Sequence, residues 1–241
     1  MSRDVSFVNQ QGLRLAGVLD ASPSDSILVM AHSFMSDKDE WGFFTRIAKR
    51  VHEAGFGVLR FDFAGCGESD DCVLTIQQHL SDLLSAIDFV KQEGYQNIFL
   101  YGHSLGGYVC LRAYTQAKKV VVSAPVTQNW SLKFSGNQLR EFAQEGFVSK
   151  FRDKGVRKHL RIGEKILTES QQINQEFLAD INVPVLIIHG QEDRDIPLEN
   201  SLSAITYLSA DSDLHIINGA DHDFAECWDK VSEQIISWIQ Q

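Results

Sequence analysis

Ile98-Phe99-Leu100-Tyr101 runs without a break into Gly102-His103-Ser104-Leu105-Gly106-Gly107, and Tyr108 to Thr115 continues with a helical pattern. A buried-type strand, a G-x-S-x-G turn and a helix, in that order, are the context a nucleophile elbow requires. The requirement is steric. The serine has to sit at the tip of a tight, strained turn with its oxygen exposed. A glycine two positions before and another two after let neighbouring backbone approach with no Cβ in the way. Alone, the pattern also fits an ordinary glycine-rich strand-to-helix turn. Its meaning rests on whether partners for Ser104 exist elsewhere in the chain.

Working outward, apolar runs and helical stripes alternate. Val5 to Asn9 and Leu13 to Leu19 flank Gln10-Gln11-Gly12 as a starting hairpin. Ser26 to His32 and Gly57 to Phe63 are near-continuous apolar runs, as strands buried on both faces would be. Between them Trp41, Phe44, Ile47, Ala48 and Val51 stripe a helix over Asp37 to Ala54, stopped by Gly55. Thr75-Ile76-Gln77-Gln78 has the form of a capping box, followed by a stripe through Ile76, Leu80, Leu83, Leu84 and Ile87. Asn97 to Tyr101 leads into the elbow, and Lys119 to Ala124 is the next strand, ended by Pro125. Val126 to Asp180 carries no strand pattern and only helical patches. The alternation resumes at Pro184 to His189, with a helix near Ser201 to Leu208, a last strand at Leu214 to Ile217 and a closing helix striped by Phe224, Trp228, Val231, Ile235 and Ile239.

Such alternation predicts an α/β fold with a mostly parallel sheet covered by helices on both faces. The sheet needs strands from both sides of the interruption. Residues 1–125 and 181–241 therefore read as one core, and 126–180 as a small helical cap inserted after the sixth strand.

Charge narrows the function classes. The 241-residue chain has 22 Lys and Arg against 32 Asp and Glu, a net charge of −10. That balance argues against non-specific binding to nucleic acid or to an anionic membrane. Cys66, Cys72, Cys110 and Cys227 show no metal-type spacing and read as reduced thiols of a cytoplasmic protein. Met1 to Gln10 has neither a basic start nor an apolar core of a secretory signal, and no apolar run reaches membrane-span length. Neither a metal nor an organic cofactor is expected, and the oligomeric state is not legible.

Ligands of a doubly wound sheet sit at the carboxyl ends of its strands, so partners for Ser104 belong in the loops there. A serine hydroxyl needs a base, and the base needs a carboxylate to hold its tautomer. The last strand is followed by Asn218-Gly219-Ala220-Asp221-His222, which makes His222 the best-placed base. His103 adjoins the serine but points away from it in a tight turn, and His189 at a strand end is expected to bond locally. The preceding strand ends in His189-Gly190-Gln191-Glu192-Asp193-Arg194-Asp195-Ile196-Pro197. Of its carboxylates, Asp193 is the expected acid, with Asp195 in reserve and Glu192 facing the other way.

The order Ser, Asp, His is the one α/β-hydrolases use. Nearly the whole chain resembles an α/β-hydrolase-fold serine hydrolase. It is most similar to the small esterase and lipase-like group that includes cinnamoyl (feruloyl) esterases and monoacylglycerol lipases. The matching residues are Arg60 to Ser69, the Gly102 to Gly107 elbow, the His189 to Pro197 loop and Gly219-Ala220-Asp221-His222. The resemblance implies an oxyanion hole made by the backbone N–H of Leu105 and of Phe34. Here the chain departs from the family pattern, reading His32-Ser33-Phe34 where the family usually reads His-Gly. It implies hydrolysis of a small-molecule carboxylic ester of a small acyl or aryl acid, through an acyl-enzyme on Ser104. A thioesterase is the nearest rival, and a slow ligand-binding protein on the same scaffold is a second. Met35, Trp130 and Phe134 are candidate pocket residues, although the cap aromatics Trp130, Phe134, Phe142 and Phe147 could equally form the cap's own core. The insert is rich in Lys and Arg, which reads either as a solvated helical surface or as an attraction for anionic substrates.

Overall fold

The computed structural model describes residues 2–130 and 132–241. Met1, which opens the expected core segment, and Ser131 lie outside the described residues. The chain begins with the antiparallel hairpin β1 (Ser2–Val8) and β2 (Arg14–Asp20). β3 (Ser26–Ala31), α1 (Phe43–Glu53), β4 (Gly57–Phe61), the short β5 (Val73–Leu74), α2 (Ile76–Gln92), β6 (Asn97–His103), α3 (Leu105–Arg112) and β7 (Lys119–Ser123) follow. Then come α4 (Gly136–Glu145), β8 (Phe147–Phe151), β9 (His159–Gly163) and α5 (Lys165–Gln171). The chain closes with β10 (Val185–Gly190), α6 (Leu198–Ala204), β11 (Asp213–Ile217) and α7 (Trp228–Gln240).

The eight-stranded sheet runs β1-β2-β4-β3-β6-β7-β10-β11. β2 pairs antiparallel with β4, and from β4 to β11 every pairing is parallel. This is the α/β-hydrolase architecture, a mostly parallel sheet with helices on both faces. The central strands read as continuous apolar runs because each face is covered. On one face Leu83, Ala86, Ile87 and Val90 of α2 and Val109 and Cys110 of α3 pack on the sheet. On the other, Phe44, Ile47 and Val51 of α1 meet Val231, Ile235 and Ile239 of α7.

Topology decides where a site can form. From β3 the connection runs to β4 on one side, and from β6 to β7 on the other. The strand order therefore reverses between β3 and β6, which leaves a crevice at their carboxyl ends. Ala31 pairs with Gly102 across those two strands, so the loops after them emerge side by side.

The segment between β7 and β10 is not wholly helical, as its pattern suggested. It contains the antiparallel hairpin β8–β9, and β9 pairs parallel with β5 in the loop after β4. The strands escaped notice because only Val148 of β8 is buried while Ser149, Lys150 and Phe151 face solvent. No alternation survives in such a strand. The helix expected from Asp37 starts later, at Phe43, after a 3-10 turn at Glu40–Gly42 whose Trp41 has φ 54°. The closing helix starts at Trp228 instead of Phe224, which sits in the preceding loop at φ 52°.

Candidate active site

Ser104 follows β6 and precedes α3, with φ 54° and ψ −118°. This is strained backbone for a residue with a side chain, of the kind that persists where surroundings impose it. The glycines around it are sterically obligatory. A Cβ on Gly102 would stand 2.3 Å from the Gly106 carbonyl oxygen, and one on Gly106 would stand 2.1 Å from that of Ala31. The two glycines let α3 start directly against the ends of β6 and β3. Ser104 N–H donates to the Ser123 carbonyl at 2.9 Å, and the Ser104 carbonyl accepts from Val126 N–H at 3.2 Å, which ties the turn to β7.

The three residues expected to act together meet here. His222 Nε2 lies 3.2 Å from Ser104 Oγ, and His222 Nδ1–H donates to Asp193 Oδ2 at 2.8 Å. They come from the loops after β6, β10 and β11, and His222 bridges the other two. The Asp193 side chain is fully buried and that of His222 is 14% exposed. Asp195, the reserve acid, is exposed and instead gives its backbone N–H to Asp193 Oδ1. Glu192 is exposed too.

Asp193 is more firmly held than the sequence suggested. Its Oδ1 accepts from Asp195 N–H at 2.9 Å and from Ile196 N–H at 2.8 Å. His189 Nε2 lies 3.3 Å from Oδ2, bonds the Ile196 carbonyl at 3.0 Å, and its Nδ1 pairs with Ser201 Oγ at 2.7 Å. Burial alone would raise the Asp193 carboxyl, but hydrogen bonds from His189 and His222 outweigh it and hold the group well below the usual carboxylate range. The same pairing acts in reverse on His222. Burial opposes its cation, yet the Asp193 hydrogen bond and charge, with Asp195 and Asp223 nearby, raise its pKa above the ordinary 6.5. The reading of His189 as a locally bonded residue is right but incomplete, because its contact with Asp193 could not be seen in one strand's sequence. His103 points away from Ser104, to Ser123 Oγ at 3.0 Å. Burial lowers its pKa to about 3, so it is a neutral ring packed 4.9 Å from that of His222.

The loop after β3 brings Phe34 beside the elbow. His32 is fully buried, its Nδ1–H donates to the Ser33 carbonyl at 2.8 Å, and its Nε2 accepts from Phe63 N–H at 3.2 Å. Burial pushes its pKa down to about 4, consistent with a neutral ring donating from Nδ1. No protein group among the described residues accepts from the Phe34 or Leu105 amide. Ser33 does not have a positive φ, so the usual glycine is not demanded by backbone conformation at this position. The Arg60 to Ser69 motif braces the loop from below. Asp62 accepts from Lys38 N–H at 2.6 Å, Lys38 Nζ at 3.1 Å and Glu68 N–H at 2.9 Å.

The pocket candidates lie together above Leu105. Phe34, Met35, Trp130 and Phe134 pack in one apolar cluster with Tyr108, Phe142, Val148 and Ile162. Phe34 and Trp130 meet edge to face at 5.2 Å, and Phe134 and Phe142 at 4.9 Å. Of the aromatics between β7 and β10, Trp130, Phe134 and Phe142 join the cluster that contains Leu105, whereas Phe147 lies against Arg161.

A sequence profile described as "Alpha/beta hydrolase family" matches residues 28–234. The chain belongs to the alpha/beta hydrolase family. Among relatives of this chain, the mitochondrial palmitoyl-protein thioesterase ABHD10 of Bos taurus is 30% identical over 188 residues, 71% of this chain and 59% of its own. The chain spans about half the length of the curated relatives it first matches. The structure of Est1E from Butyrivibrio proteoclasticus with ferulic acid bound superposes with a TM-score of 0.79 at 20% identity, covering 98% of both chains. The monoacylglycerol lipase of Paleococcus ferrophilus superposes with a TM-score of 0.75 at 22% identity, over 93% of this chain and 97% of its own. At such identities the structural likeness speaks for the fold alone. No helix among the described residues is long and apolar enough to cross a membrane.

Proposed function

We propose that the protein is a serine hydrolase that cleaves small-molecule carboxylic esters of small acyl or aryl acids. The observation that carries the reading is His222 lying between Ser104 Oγ at 3.2 Å and Asp193 Oδ2 at 2.8 Å. Ser104 Oγ attacks the ester carbonyl as His222 Nε2 takes its proton. Asp193 holds the ring with Nδ1 protonated and stabilises the imidazolium. The Phe34 and Leu105 amides receive the oxyanion. The tetrahedral intermediate collapses, His222 returns the proton to the departing alkoxide, and an alcohol leaves. Water, deprotonated by the same imidazole, then attacks the acyl-enzyme and frees the acid. In this reading residues 126–180 are the cap over a core of 1–125 and 181–241, and Met35, Trp130 and Phe134 line the acyl side. The four free cysteines support a reducing, cytoplasmic setting.

Turnover of p-nitrophenyl acetate by wild type and Ser104→Ala tests the reading, and equal rates would reject it. A thioesterase is the second reading, favoured by the relationship to a palmitoyl-protein thioesterase. Matched oxygen and thio esters of one acyl chain separate the two by the ratio of their kcat/KM.

A further inference from the structure

One buried carboxylate beside the elbow has no part in the reaction just described. Glu40 is 1% exposed, and both its oxygens go to the residue that stands where the family usually has glycine. Oε2 accepts from Ser33 N–H at 2.8 Å and Oε1 from Ser33 Oγ at 2.5 Å. The side chain reaches inward from a costly backbone. Glu40 and Trp41 have φ 43° and 54°, a left-handed region that side-chain-bearing residues seldom occupy. Two such residues in succession mark a segment forced into place by its surroundings, a pattern that concentrates at functional sites.

What the clamp controls follows from peptide geometry. The Ser33 carbonyl and the Phe34 N–H are two ends of one planar unit. The carbonyl end accepts from His32 Nδ1–H at 2.8 Å and from Ser36 N–H at 3.2 Å. Those bonds alone leave the preceding peptide and the Ser33 side chain free to move. Glu40 fixes both, so Ser33 is gripped before and after its α-carbon and the Phe34 N–H has one direction. We propose that Glu40 is a positioning residue for the oxyanion hole, holding Ser33 by amide and hydroxyl together and so aiming the Phe34 N–H. The inference rests on the hydrolase reading above and names the partner that holds Ser33 in this chain.

The protonation state of Glu40 leaves the clamp intact. Burial pushes its carboxyl up to about 7, opposed by the bonds from Ser33. Asp37 in the same turn and Tyr101 of β6 face it, and Arg46 of α1, Asp223 after β11 and Lys154 of the β8–β9 hairpin line the same cleft. The ionised form accepts both Ser33 bonds. The neutral form accepts from the amide and donates to Oγ, a pattern that glutamine reproduces and alanine cannot.

The test uses the full chain. Glu40→Ala is expected to lose about 10²-fold in kcat on p-nitrophenyl acetate, as removal of an oxyanion donor does, with KM within about threefold. Glu40→Gln is expected to retain at least about a third of the wild-type kcat. In a double-mutant cycle, Ser33→Ala is expected to lose about tenfold, and Ser33→Ala/Glu40→Ala no more than about twofold beyond Glu40→Ala, because the residues act as a unit. Wild-type kcat in Glu40→Ala, a change confined to KM, or multiplicative losses in the cycle would each overturn the proposal. Hydrogen exchange of the Ser33 amide, which Glu40 accepts from, separates this inference from the hydrolase reading, since it needs no turnover. Exchange at least tenfold faster in Glu40→Ala than in Glu40→Gln is expected, and equal exchange would overturn the clamp even in an active enzyme. If Glu40→Ala does not fold, Ser33→Ala and Glu40→Gln still decide. Wild-type kcat in the first, or a Glu40→Gln loss as large as 10²-fold, would overturn the proposal.

Discussion

If the proposed function holds, replacing Asp193 with asparagine should abolish ester turnover while leaving the loop that carries it in place. Oδ1 accepts from Asp195 N–H and Ile196 N–H, and an asparagine carbonyl oxygen can do the same. The damage falls on the other side. Oδ2 faces His222 Nδ1 at 2.8 Å, and an amide NH₂ there presents donors where a proton already sits. The ring must shift its proton to Nε2, 3.2 Å from Ser104 Oγ, and a protonated Nε2 cannot accept the serine's proton. The same substitution in a serine protease triad costs about 10⁴ in kcat, which is about 5.4 kcal/mol at about 1.36 kcal/mol per decade. The assay is p-nitrophenyl acetate turnover across pH 5 to 10 (about the working range of an imidazole base), with circular dichroism to check the fold. A folded Asp193→Asn variant within about tenfold of wild-type kcat would refute the tautomer argument.

The pH profile gives a second check. His222 must be neutral to act as base, and Asp193, Asp195 and Asp223 raise its pKa, so kcat/KM of wild type should climb through a midpoint above 6.5. Asp223→Asn should move that midpoint down, and an unmoved midpoint would remove Asp223 from the field at His222. Steric necessity at the elbow predicts that Gly106→Ala, whose Cβ would meet Ala31 O at 2.1 Å, loses on the order of 3 kcal/mol of stability, seen as a melting temperature about 6–12 °C lower. Gly136→Ala, with nothing within 4 Å of the added carbon, should shift melting by less than about 3 °C.

How much of this could be read from residues alone depended on burial. β3, β4, β6, β7 and β10 are buried along nearly their whole length, so their apolar runs stood out and marked where the strands lie. The starting hairpin was legible because Gly12 breaks it at φ 80°. The β8–β9 hairpin was not, since β8 exposes most of its residues and is held by β9 and, through β9, by a two-residue strand distant in sequence. Helix starts were misplaced where tertiary packing forces left-handed backbone on Glu40, Trp41 and Phe224, which propensity does not foresee. Thr75 does cap α2, accepting from Gln78 N–H at 3.1 Å, but the Gln78 side chain turns to Asp82 and Gln11. The reciprocal box forms instead at Ser135 and Gln138.

The same division holds at the site. Ser104, Asp193 and His222 were readable because loops after parallel strands converge and glycines mark the turns. The supports were not readable. His189 reaches Asp193 across its own loop, and Glu40 reaches Ser33 seven residues back from within a turn whose shape no periodicity encodes. The departure at Ser33 was visible as an anomaly, but its partner could be named only from the folded chain.

The central claim is that Ser104 is a nucleophile made reactive by His222. Mass mapping of a fluorophosphonate adduct on wild type, Ser104→Ala and His222→Ala tests it most directly. The account predicts one adduct, on the peptide containing Ser104, absent from Ser104→Ala and formed at least about 100-fold more slowly in His222→Ala. An adduct that persists in Ser104→Ala, or one that forms in His222→Ala at the wild-type rate, would contradict it.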